Sequence, residues 1–90
     1  MNNDRRKTIQ DIKDRVENLL SEIENIKSDI ESARDEEQEY YDNMPESFQG
    51  GEKGENAQTA ISYLDDAVSE LENMESNIND CTSALDSATE

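Results

Sequence analysis

The sequence predicts an all-α protein, an antiparallel two-helix coiled-coil hairpin. Three observations predict it. Apolar residues recur at alternating spacings of three and four over two long stretches. A segment holding Pro45 and three glycines separates those stretches. No period-two alternation of the kind strands show appears anywhere.

The first stretch runs Ile9, Ile12, Val16, Leu19, Ile23, Ile26, Ile30, Ala33 and Tyr40, with Glu37 filling one expected apolar place. In heptad letters Ile9, Val16, Ile23 and Ile30 are a positions, and Ile12, Leu19, Ile26, Ala33 and Tyr40 are d positions. Pro45 disfavours a helical Met44, so the first helix is expected over 4–43. The break covers 44–54. The second stretch runs Ala57, Ala60, Leu64, Ala67, Leu71, Met74, Ile78, Cys81, Leu85 and Ala88. It places the second helix at 55–88, with Gly51 or Asn56 available to cap it.

Folding the chain back on itself pairs every a position with a d′ position. Ile9 then faces Ala88, Val16 faces Cys81, Ile23 faces Met74 and Ile30 faces Ala67. The hairpin would be roughly 50 Å long at 1.5 Å per helical residue. Leu20, Ile61 and Val68, with Tyr41, occupy e positions and widen the apolar stripe. They are the candidate dimer interface, in a homodimer with a four-helix arrangement, because small chains without staples often need oligomerisation.

Composition bounds the remainder. Ninety residues make one domain, here 1–90, with a thin core. With 31% hydrophobic and 36% charged residues the composition alone suits a disordered chain, and the periodic seam argues against that. No apolar N-terminal run suggests a signal peptide or membrane span. A single cysteine, Cys81, fits a reducing compartment such as a cytoplasm.

The chain holds no histidine, no Cys-His or Ser-His-Asp set and no phosphate loop. Adjacent acids such as Asp65 and Asp66 point in different directions on a helix and match no calcium loop. Neither catalysis nor a cofactor nor a metal is expected.

Charge is the strongest functional signal. The net charge is −16, and residues 35–90 carry sixteen acids against Lys53 alone. Such concentration destabilises a small fold by self-repulsion. Its sign argues against binding nucleic acid or anionic membrane, and for a basic partner. Spread along about 50 Å, it gives one charge per roughly 3 Å, and in a side-by-side dimer about one per 1.6 Å, near the 1.7 Å of duplex DNA. Asp35, Glu36, Glu39, Asp42 and Glu46 close the first helix, where acids oppose the helix dipole. Glu52, Glu55, Asp65 and Asp66 share that pole. These nine acids, with Tyr41 and Phe48 as aromatic anchors, are the candidate partner-binding residues. Tyr40 is expected to close the last core layer.

The string Glu36-Glu37-Gln38-Glu39-Tyr40-Tyr41-Asp42-Asn43-Met44-Pro45-Glu46-Ser47-Phe48-Gln49, followed by Ala60-Ile61-x-x-Leu64-Asp65-x-Ala67-Val68-x-x-Leu71, carries a resemblance. It resembles small acidic helical proteins of phages and prophages of Gram-positive bacteria, and covers the tip and second helix. Some small acidic phage proteins block host defences by imitating DNA, as anti-restriction and many anti-CRISPR proteins do. The resemblance implies a non-enzymatic inhibitor, placed in the host bacterial cytoplasm, that occupies the basic channel of a host defence enzyme handling nucleic acid, a CRISPR effector nuclease or a restriction enzyme. Phe48-Gln49-Gly50 also resembles, more weakly, the Trp-x-Gly loop of type VII-secreted helical hairpins. A coiled-coil assembly module is the remaining alternative.

Overall fold

A computed structural model describes residues 2–90. The order is helix α1 (Asn3–Asp42), a single helical turn α2 (Glu46–Gln49) and helix α3 (Glu52–Ala88). The chain is all-α, and α1 and α3 pack against each other as a helical hairpin.

Local chemistry sets each end. Asn2 caps α1, its Oδ1 accepting from the Arg5 N–H at 2.8 Å and its carbonyl from Arg6 at 3.1 Å. α1 stops where Pro45 forbids continuation, one residue before the expected end. Two donors then reach its loose Tyr41 carbonyl, the Met44 N–H and the Gln49 side-chain amide, both at 3.1 Å. The expected loop holds α2, which opens on Pro45 at φ −56°. The carbonyl of Pro45 accepts from Phe48 and Gln49. α3 begins at Glu52, three residues before the expected start. Gly51 supplies the first carbonyl of its ladder, accepting from Glu55 at 2.9 Å, and Glu52 and Glu55 favour the positive end of its dipole.

The contacts divide the chain into two compact units, one of residues 1–25 with 71–90 and one of 26–70. Both use the same seam, and it differs from the expected one. On α1 the covered positions are a and e: Ile23 is 3% exposed, and Ile9, Lys13, Val16, Leu20, Ile30, Arg34 and Tyr41 are half-buried. The d positions are turned out, with Ile12 40%, Leu19 53%, Ile26 40% and Tyr40 52% exposed. On α3 the covered edge is again a′ and e′, with Ala57, Val68 and Ile78 buried and Ile61, Leu64, Leu71 and Leu85 half-buried. Met74, Cys81 and Ala88, expected as core d′ residues, are exposed.

The reason lies mainly in α3. In the unit of residues 26–70 its e′ edge offers Ile61 and Val68, whereas its d′ edge offers Ala60 and Ala67. Covering e′ there removes more apolar surface from water. On α1 the matching e edge carries Lys13 and Arg34, whose aliphatic stems cover the seam while their charges reach its rim. Lys13 Nζ lies 2.6 Å from Asp86 in one unit, and Arg34 Nη1 donates to Asp65 at 2.9 Å in the other. Leu20, Ile61 and Val68 thus pack inside the chain. They are not a free flank for a second copy, and the expected interface is corrected accordingly.

Candidate functional site

The nine candidate acids all fall in the unit of residues 26–70, which carries thirteen acidic and three basic side chains, net −10. The other unit carries eleven acidic and five basic, net −6. All nine are exposed. Eight sit on the outward faces of α1 and α3, because the a and e positions hold the inward ones, and Glu46 opens α2.

They are not equivalent. Arg34 engages two of them. Its Nη1 donates to Asp65 at 2.9 Å, while its Nη2 and Nε donate to Asp35 at 3.0 and 3.3 Å. The hydrogen bond to Asp65, then that to Asp35, raises the guanidinium pKa above its ordinary value. Asp42 accepts from the Gln38 amide at 2.9 Å. The carboxylates of Glu36, Glu39, Glu46, Glu52, Glu55 and Asp66 make no hydrogen bond or ion pair among the described residues. These six are free to meet a partner without first breaking a contact.

The aromatic candidates change places. Tyr41 is half-buried at the seam, and its hydroxyl accepts from the Gln58 amide at 2.9 Å. Tyr40, expected in the core, is 52% exposed. Phe48 on α2 is 54% exposed, as a contact residue needs. Tyr63 was not singled out from the sequence, and at 70% it is the most exposed large apolar residue among those described. Its g′ heptad position was the available signal. It lines a shallow groove on α3 with Glu55, Gln58, Thr59 and Ser62.

Among the described residues no group of three acidic or cysteine side chains converges as a metal site. Nor is any helix among the described residues long and apolar enough to cross a membrane. Compared with known protein families, curated proteins and solved structures, the chain matches none.

Proposed function

We propose that the chain is a non-enzymatic inhibitor that imitates a nucleic-acid backbone and occupies a basic channel. Its target class is a host defence enzyme handling nucleic acid, a CRISPR effector nuclease or a restriction enzyme, met in the cytoplasm of a bacterium infected by a phage or carrying a prophage. One observation carries this: a unit of net −10 that presents six unpaired carboxylates. Glu36, Glu39, Glu46, Glu52, Glu55 and Asp66 stand in for phosphates, which supply much of the affinity of nucleic acid for such channels. Tyr40, Phe48 and Tyr63 provide rigid apolar anchors of the kind that dominate interfaces.

The test compares the parent with Glu36→Lys/Glu39→Lys/Glu46→Lys, each immobilised and offered a Gram-positive bacterial lysate. The parent is expected to capture nucleic-acid-binding proteins. These should release when competing duplex DNA is added, or when salt rises from about 0.1 M to about 1 M and the screening length falls from about 10 to about 3 Å. The variant should capture none of them. A captured set that ignores both DNA and charge reversal overturns the proposal. Dependence on the exposed Ile12 and Leu19 instead would favour an assembly module.

A further inference from the structure

α1 keeps an apolar edge that its own chain leaves open. Ile12, Leu19 and Ile26 repeat every seven residues and are 40, 53 and 40% exposed. One exposed isoleucine is ordinary, but a regular stripe marks an interaction surface. On α3 of the same unit as Ile12 and Leu19, Met74 is 45% exposed, and Asn77, Cys81 and Ala84 nearby are exposed and uncharged. In an antiparallel pair the d and d′ positions lie on one side of the seam, so this side carries little charge. A like-charged copy approaches most easily there.

The charges that do border the stripe are self-complementary. Arg15 and Glu22 flank Leu19 at consecutive g positions. Both are exposed, and neither side chain has a hydrogen bond or ion pair among the described residues. Lay a second α1 antiparallel on the first, with Leu19 on the two-fold axis. Ile12 of each copy then meets Ile26 of the other, and Arg15 of each lies beside Glu22 of the other. Arg5, the preceding d position, falls opposite Ala33, between Asp29 and Glu36. A parallel in-register alignment would instead set Arg15 on Arg15 and Glu22 on Glu22. Isologous contacts of this reciprocal kind build two-fold dimers.

We propose that two copies of the chain associate through this edge as an antiparallel, two-fold symmetric dimer, α1 on α1 with Leu19 at the axis. The inference stands independently of what the acidic unit binds.

Cross-linking and charge exchange test it. In a Cys81→Ser background, Leu19→Cys should form a disulfide-linked dimer under mild oxidation, whereas Asp14→Cys on the opposite face should not. In sedimentation, Arg15→Glu should weaken dimerisation about tenfold or more, and Arg15→Glu/Glu22→Arg should recover it to within about threefold. Circular dichroism confirms that each variant keeps its helices. A parent that stays monomeric at about 100 µM overturns the proposal. So does equal cross-linking at both positions, or a double variant no better than the single one with helices intact.

Discussion

A β-carbon added to Gly54 would overlap the backbone carbonyl oxygen of Gln49, and would lie 2.7 Å from the Gln49 Cα. The end of α2 therefore rests directly on the first turns of α3, and only a residue without a side chain leaves room. Helix propensity alone favours alanine over glycine by about 1 kcal/mol. Here the clash is with backbone, which cannot swing aside. Gly54→Ala is expected to destabilise the chain by about 1–3 kcal/mol in urea unfolding. Gly50→Ala, with nothing within 4 Å of the added carbon, should be close to neutral.

The choice of seam predicts a contrast between two neighbouring apolar residues. Ile23 is 3% exposed at an a position and Leu19 is 53% exposed at a d position. Ile23→Ala should lose about 2–5 kcal/mol, as large-to-small core changes do. Leu19→Ala should lose under about 1 kcal/mol when measured at concentrations too low for association. Equal losses would restore the a/d seam.

Val68 is 8% exposed. Val68→Asp would place a carboxylate among the apolar side chains of its unit's seam, a change that costs several kcal/mol or forces protonation. Loss of the helical circular dichroism signal is the expected outcome. A folded Val68→Asp variant would return this residue to the surface.

Lys13 gives a pH prediction with a definite sign. Its hydrogen bond to Asp86 is the main cause raising its pKa above the ordinary 10.5, with the charges of Asp86 and Glu17 adding and desolvation opposing. A raised lysine pKa stabilises the fold fully below the ordinary value and loses that effect as pH rises through the raised one. Lys13→Met should therefore melt below the parent at neutral pH, and the difference should close in strongly alkaline solution. A gap that persists there would show that the lysine stem, not its charge, supports the seam.

Self-repulsion at net −16 predicts that added salt raises the melting temperature. The Lys13–Asp86 and Arg34–Asp65 bridges weaken under the same screening, so a fall with salt would mean that the bridges outweigh the repulsion.

The two long helices and the break at Pro45 were legible because apolar periodicity and turn chemistry both register locally. The seam was legible at the a positions and misplaced on their flank. A stripe of a and e positions alternates four and three just as a stripe of a and d alternates three and four. Only the relative bulk of Ile61 and Val68 against Ala60 and Ala67, and the reach of Lys13 and Arg34, decide between them. That one rotation exchanges Tyr40 with Tyr41 and carries Leu20, Ile61 and Val68 from flank to interior. The single turn of α2 is too short for periodicity to register, and the demand for glycine at position 54 arises from a contact that local sequence does not encode. The acidic candidates were legible by charge alone, but which of them Arg34 and Gln38 occupy depends on rotamers.

Arg34 spends its guanidinium on Asp35 and Asp65, one carboxylate from each long helix. Around it three side chains sum to a single negative charge, with their donors and acceptors largely turned on one another. A docking protein would thus meet a punctuated field, with isolated carboxylates on either side of a nearly silent node. Its own cations would have to be spaced to skip that node, so the pattern selects among basic surfaces by pitch as well as by sign.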